Sequence, residues 1–167
     1  MDEFKQLYIK YRKQIYQYLF YLSGDKFTAE ELTQETFFQA FKAIHQFKGR
    51  SKVSTWLFQI AKYTFYSHLR KNMKVQQVGD TSPLENIRLN EETPENIYEE
   101  KEKLDYLIHA MKKLKQTHQE IIILRIYNEL SFNEIGEIFN QSATWARVNF
   151  YRAKNKLSLM MDGGDQK

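Results

Sequence analysis

Two runs of helical apolar spacing, parted by an acidic stretch that holds both prolines, constrain this chain more than any other feature. In the first run Phe4, Leu7, Tyr8, Tyr11, Ile15, Tyr18, Leu19 and Leu22 recur at three and four, as one face of an amphipathic helix requires. Leu32, Phe37, Phe38, Phe41 and Ile44 form a second such stripe, and Val53, Trp56, Leu57, Ile60, Ala61, Phe65 and Leu69 a third. Gly24-Asp25 ends the first helix. Thr28-Ala-Glu-Glu31 has the form of a capping box and is expected to open the second. Gly49 marks the next turn, Ser51 or Ser54 caps the third helix, and Arg70-Lys71-Asn72 closes it. Gly79, Pro83 and Pro94 then punctuate a polar segment with few core candidates, because the residue before a proline is pushed out of the α region. The expected fold is all-α: two small helical domains joined by a flexible acidic linker, with residues 1–74, 75–100 and 101–162 as first domain, linker and second domain, and 163–167 as a frayed tail.

Charge follows the same division. Residues 1–75 carry thirteen Lys/Arg against six Asp/Glu, residues 76–105 carry three against nine, and residues 106–167 carry nine against six. Two basic blocks therefore flank an acidic one, which points to nucleic acid as a partner of both ends. The chain has no cysteine, so disulfides, thiolate zinc sites and cysteine nucleophiles are excluded. The charged N-terminus and the lack of a long apolar run point to a soluble, cytoplasmic protein.

The second block is expected to hold four helices. The first runs from about Glu100 to Leu114 and the next from Gln116 to Tyr127. Ile121-Ile122-Ile123-Leu124 has strand propensity, but helical signals on both sides favour a helix. Ser131-Phe-Asn-Glu134 is a capping box for a short third helix, Asn140-Gln141 makes a tight turn, and Ser142 caps a basic last helix. Short helix, tight turn and longer basic helix is the helix-turn-helix order. Ala146, Phe150, Ala153 and Leu157 give the last helix its core face, leaving Ser142, Ala143, Thr144, Arg147, Asn149, Arg152 and Lys154 for a DNA groove. Arg147 has the donors to read guanine, Asn149 could read adenine, and Arg152 and Lys154 suit phosphates. An ordinary solvated basic helix is the competing reading, and Trp145 either packs beneath the helix or touches DNA.

In the first block, cations and aromatic rings alternate: Phe47, Lys48, Arg50, Lys52, Lys62, Tyr63, Tyr66 and Arg70, with Trp56, His68 and Lys71 nearby. Such a face can stack unpaired bases while following the backbone charge, although a solvated face is the plainer alternative. Trp56 and Phe65 lie on the apolar stripe and are assigned to the core. Glu31, Gln34, Glu35 and Phe38 share one face of the second helix and suit a protein-docking ridge, although a merely solvated ridge is the plainer reading of the pattern alone. No cofactor or metal is expected: His45, His68, His109 and His118 lack ligand spacing, and no glycine-rich phosphate loop, His-Glu-x-x-His motif or nucleophile elbow is present. The chain is not read as an enzyme.

Two stretches carry a family resemblance. One is Ala29-Glu-Glu-Leu-Thr-Gln-Glu-Thr-Phe-Phe-Gln-Ala-Phe41 with Ser54-Thr-Trp-Leu-Phe-Gln-Ile-Ala61 and Leu69-Arg-Lys71. The other is Ile122-Ile-Leu-Arg-Ile-Tyr-Asn-Glu-Leu-Ser-Phe-Asn-Glu-Ile-Gly-Glu-Ile-Phe139 with Tyr151-Arg-Ala-Lys-Asn-Lys-Leu157. In this order and at this length the sequence resembles the small bacterial sigma factors of the extracytoplasmic-function (ECF) group of the sigma-70 family. The resemblance implies a factor that directs core RNA polymerase to promoters and helps to open them. It implies clamp coiled-coil docking through Glu31, Leu32, Gln34, Glu35 and Phe38, −10 element contacts from Phe47 to Lys52 and along the third helix, and −35 reading by the last helix. It also implies an anti-sigma partner, commonly membrane-anchored, that would hold the factor at the inner face of the membrane. Three positions depart from the family pattern: Leu114-Lys115 where Leu-Pro is usual, Asn140-Gln141-Ser142 where Gly-x-Ser is usual, and Trp145 where a smaller residue is common. A duplex-binding regulator that never joins polymerase, and a helical adaptor for acidic proteins, are the alternatives.

Overall fold

The computed structural model describes the backbone of residues 2–76 and 95–163, and every regular element among them is helical. The first three are α1 (Asp2–Ser23), α2 (Lys26–Ala43) and α3 (Val53–Gln76), with a single 3₁₀ turn at Ile44–Gln46. Ile15, Tyr18, Leu19 and Leu22 of α1 are buried against Ala29, Phe37 and Ala40 of α2 and Leu57, Phe58, Ala61 and Phe65 of α3. Edge-to-face aromatic pairs tie the bundle: Tyr8–Phe37 at 4.9 Å and Tyr18–Phe58 at 5.5 Å between ring centroids. Such pairs contribute about 0.5–1.5 kcal/mol each beyond the area they bury.

Gly24 stops α1 by taking φ +71, and its N–H closes on the Phe20 carbonyl at 2.8 Å. The cap of α2 lies three residues before the expected one. Asp25 accepts from the Phe27 and Thr28 amides, and the Thr28 hydroxyl donates to Asp25 Oδ2 at 2.6 Å. A carboxylate satisfies two first-turn amides at once, so Thr28 sits inside the helix and supports the cap. Likewise α3 starts at Val53, which puts Ser54 inside it, and it continues past Asn72 to Gln76.

The second set is α4 (Glu95–Lys112), α5 (Gln116–Ile122), α6 (Phe132–Ile138) and α7 (Ala143–Asp162). The isoleucine run is helical, and all four of its residues, Ile121 to Leu124, are buried. Beyond Ile122 the chain widens into a π turn at Ile123–Tyr127, where the Asn128 amide reaches five residues back to the Ile123 carbonyl at 3.1 Å. The linker expected at 75–100 falls mainly on residues 77–94, outside the described residues, and its last six positions already belong to α4.

Both caps expected around the helix-turn-helix are present. Ser131 Oγ accepts from the Glu134 amide at 3.1 Å and donates to Glu134 Oε1 at 3.0 Å, and Ser142 Oγ accepts from the Trp145 amide at 3.0 Å. The turn depends on two backbone features. Asn140 occupies the left-handed region at φ 56, which Asn tolerates better than most residues. Gly136 lets the turn fold back onto α6: its carbonyl accepts from the Gln141 amide at 2.8 Å. A Cβ at Gly136 would lie 2.7 Å from the Gln141 carbonyl oxygen and 2.8 Å from that of Ser142. Those are backbone atoms that no rotamer change can move. Gly136→Ala is therefore expected to cost roughly 1–3 kcal/mol, read as a lower urea midpoint. An unchanged midpoint would show that the turn is looser than this geometry requires.

Candidate nucleic-acid and polymerase-binding surfaces

The last helix carries its core face as the sequence indicated. Ala146, Phe150, Ala153 and Leu157 are buried, and Trp145 is half-buried with its ring 5.3 Å from Phe139. Trp145 thus packs within the domain. Ser142, Thr144, Arg147, Arg152 and Lys154 are exposed, whereas Ala143 is half-buried. Asn149 is placed differently. It is half-buried, its amide donates to the Trp145 carbonyl at 2.9 Å, and its Oδ1 lies 3.3 Å from His118 Nε2. Its polar atoms are thus engaged inside the domain, which argues against base reading and for fixing α7 on α5. Two residues on the open face escaped the sequence reading, Val148 and Tyr151, at 40% and 50% exposure. The three- and four-residue spacing from Thr144 through Arg147 and Val148 to Tyr151 was the available signal.

On α2, Glu31, Gln34, Glu35 and Phe38 are exposed along one side, and the Lys42 ammonium lies over the Phe38 ring at 5.0 Å. Leu32, grouped with them at first, is only 4% exposed and belongs to the core; it supports the ridge from beneath. A groove of about 480 Å³ separates this ridge from α3, lined by Glu31 and Glu35 on one side and Tyr63, His68 and Lys71 on the other.

The cation–aromatic face of the first domain divides into two. Lys48, Arg50, Tyr63 and Arg70 are exposed, and Phe47 is half-buried against Trp56 at 5.0 Å. Lys52, Lys62 and Tyr66 instead meet the second domain. Lys52 pairs with Glu134 at 3.5 Å. Lys62 pairs with Glu120 at 3.6 Å, and its ammonium lies 3.4 Å from the centre of the Phe139 ring. Tyr66 donates to Glu120 Oε2 at 3.1 Å, and Tyr18 makes a longer 3.3 Å contact to Oε1. Around this point Gln59 donates to the Glu137 carbonyl at 2.9 Å, Asn128 donates to the Gln14 carbonyl at 3.1 Å, and Tyr21 stacks on Tyr127 at 4.1 Å.

Glu120 is wholly buried and was missed in the sequence. Its spacing puts it on the same helical face as Ile123 and Leu124, a carboxylate where an apolar residue is expected. Burial pushes its carboxyl above the ordinary value, although Lys62 and the tyrosine hydroxyls pull it back down. Burial pulls the Lys62 ammonium down and pushes the Tyr66 and Tyr18 phenols up, the latter two further raised by Glu120. No group of three or more His, Asp or Glu able to hold a metal occurs among the described residues, nor is any helix among them long and apolar enough to cross a membrane.

Comparison with known proteins fits this geometry. The family description Sigma-70 region 2 matches residues 7–75, and Sigma-70, region 4 matches residues 110–157. The RNA polymerase sigma factor YlaC of Bacillus subtilis is 34% identical over 160 residues, which cover 96% of this chain and 92% of that protein. The ECF RNA polymerase sigma factor SigM of the same organism is 30% identical over 95% of both chains. This chain is an ECF sigma factor of the sigma-70 family.

The sigma factor directs RNA polymerase to promoters and is itself non-catalytic. Its fold is shared with the sigma factor RpoE of Bartonella quintana, solved in complex with the anti-sigma factor NepR. That match has a TM-score of 0.78 at 23% identity and covers 97% of this chain and 98% of that one. CnrH, solved in complex with the cytosolic domain of CnrY, aligns with a TM-score of 0.71 at 19% identity, over 96% of this chain and 88% of that one.

The raised carboxyl of Glu120 sets a pH dependence. A group held above its unfolded value binds its proton more tightly in the packed state, so its contribution is fullest below the ordinary carboxylate range. That contribution is lost as pH rises through the raised value. The stability of the native chain relative to Glu120→Gln, which cannot titrate, is therefore expected to fall as pH rises above the ordinary carboxylate value of 4.5 in paired urea titrations. A difference that rises over this window would contradict the assignment.

Proposed function

We propose that the two basic faces of this sigma factor bind different forms of one promoter, while the α2 ridge holds the factor to core polymerase. The division into a first domain at 1–74, a linker at 75–100 and a second domain at 101–162 fits this reading, with the helix ends moving the linker edges to 77 and 94. The observation that carries it is the coexistence in one chain of a helix-turn-helix with Thr144 and Arg147 exposed and, apart from it, an exposed ridge of Glu31, Gln34, Glu35 and Phe38. A duplex regulator that works alone has no use for the second feature.

In this reading α7 enters the major groove of the −35 element. Arg147 reads base edges, Thr144, Val148 and Tyr151 flank it, and Arg152 and Lys154 fix register on phosphates together with Ser142 and Ala143 at the helix start. Asn149 positions the helix. Phe47, Lys48, Arg50, Lys52, Lys62, Tyr63, Tyr66 and Arg70 meet the −10 element, where aromatic rings stack on bases released from the duplex and assist opening. Linking the two domains raises the effective concentration of the second contact once the first is made. The clamp coiled coil of the largest polymerase subunit is the partner for the α2 ridge, with Leu32 acting through the packing below it. An anti-sigma factor is a further partner, supported by the two solved relatives with such proteins bound. A membrane-anchored one would hold the factor at the inner face of the membrane.

Run-off transcription with bacterial core polymerase and a promoter library tests the whole reading; failure to redirect initiation would reject it. Arg147→Ala is expected to lower discrimination between cognate and altered −35 elements by about 1–3 kcal/mol, the range for one bidentate base contact. An unchanged specificity ratio would remove Arg147 from the reading set. Glu35→Lys reverses charge on the ridge and should lower core-polymerase capture in a pull-down without changing the circular dichroism spectrum. Full capture by the folded variant would displace the docking site from α2.

A further inference from the structure

The arginine assigned to base reading shares an aromatic ring with a second arginine. The Arg125 guanidinium lies 4.2 Å from the centre of the Phe132 ring, and that of Arg147 lies 5.6 Å from it. The three residues come from three elements: Arg125 from the π turn, Phe132 from the first position of α6, and Arg147 from α7. Two of them are firmly held. The Ser131 cap fixes the start of α6, and the Phe132 ring packs on those of Phe150 and Tyr151 at 5.6 and 6.4 Å. Arg125 Nη1 donates to the Leu130 carbonyl at 2.9 Å, next to Glu129, whose backbone takes the left-handed region at φ 56. Arg147 is exposed, and the ring is the fixed group beside it.

We propose that Phe132 is a positioning residue for promoter reading: with Arg125 held on its ring, it sets where the Arg147 guanidinium stands before DNA arrives. This rests on the reading of Arg147 as a −35 contact. A long exposed arginine samples many rotamers, and a bidentate base contact must first order it. An aromatic face can do that ordering ahead of binding. It attracts the cation through the ring quadrupole and uses none of the guanidinium N–H donors, which stay available for guanine acceptors. A carboxylate in the same place would take those donors for itself. Arg125 occupies the closer position on the ring, and repulsion between like charges keeps Arg147 from folding down to the same distance. The frame around the pair is stiff, because Ser131 fixes the start of α6 and Gly136 and Asn140 fix the turn into α7. Specificity at one base pair then depends on α6 and the π turn as well as on the helix in the groove.

The test uses the full-length protein reconstituted with bacterial core polymerase and a promoter set in which each −35 base pair is exchanged singly. Initiation on each template is measured by run-off transcription, and the penalty of each exchange is taken relative to the best −35 sequence. The position whose penalty shrinks most in Arg147→Ala is the one that Arg147 reads. Phe132→Leu keeps an apolar side chain but removes the aromatic face. It is expected to shrink the penalty at that position by about two- to fivefold, the equivalent of one exposed cation–π contact, and to leave the other positions unchanged. Phe132→Tyr keeps the ring and should retain the native penalty. Phe132→Leu added to Arg147→Ala should shrink nothing further. Unchanged penalties in the folded Phe132→Leu protein overturn the proposal. An equal loss at every position, or a Phe132→Tyr protein that behaves like Phe132→Leu, also overturns it by reducing Phe132 to a packing residue. If Arg147→Ala alters no penalty while initiation continues, the −35 reading of Arg147 is what has failed, and the positioning role falls with it.

Discussion

The arrangement of this sigma factor turns on one buried carboxylate. Glu120 has no access to water, and without partners its charge would destabilise the packed chain by several kcal/mol. Its partners come from the other domain: Tyr18 from α1, and Lys62 and Tyr66 from α3. This constraint orients α5 against the first bundle and carries α6 with it, because Gln59 and Lys62 sit one turn apart on α3 and reach Glu137 and Phe139. Around it the buried apolar residues of both halves form one continuous cluster, from Ile15 and Leu57 through Ile121 and Leu124 to Leu157. A polar centre set in a shared apolar core fixes one relative placement of the two bundles.

The helices and the frame of the DNA-reading unit were legible in the sequence, and for a common reason. Apolar spacing at three and four decides which residues face inward, and Ser131, Ser142 and Asn140 supply local hydrogen bonds or backbone conformations that do not depend on the rest of the fold. The start of α2 was misplaced because Thr28 and Glu31 satisfy the written pattern of a capping box, while Asp25, close behind a glycine, offers the stronger acceptor. Pattern alone does not rank two adjacent caps.

What the sequence could not disclose was which side chains meet across the fold. Lys62 and Tyr66 belong to a basic, aromatic face by composition, and only the fold shows them turned toward Glu120. Asn149 looks like an adenine reader from its place on a basic helix, yet it binds back to the Trp145 carbonyl and faces His118. Leu32 is the opposite case: the resemblance set it among the docking residues, while its apolar spacing had already placed it on the inward stripe, where it is buried. For the lysine, the tyrosine and the asparagine the chemistry was read correctly and the neighbour was not, since neighbours distant in sequence leave no periodic trace.

The turn between α6 and α7 separates what can vary from what cannot. Gly136 has no room for a methyl group, and Asn140 holds a backbone conformation that few side chains accept. Arg147, Val148 and Tyr151, further along α7, are exposed, although Arg147 lies beside the Phe132 ring and Tyr151 packs against Phe150 and Phe132. On the proposed −35 reading, substitutions on this exposed face would change the letters read, while the turn that presents them stayed fixed.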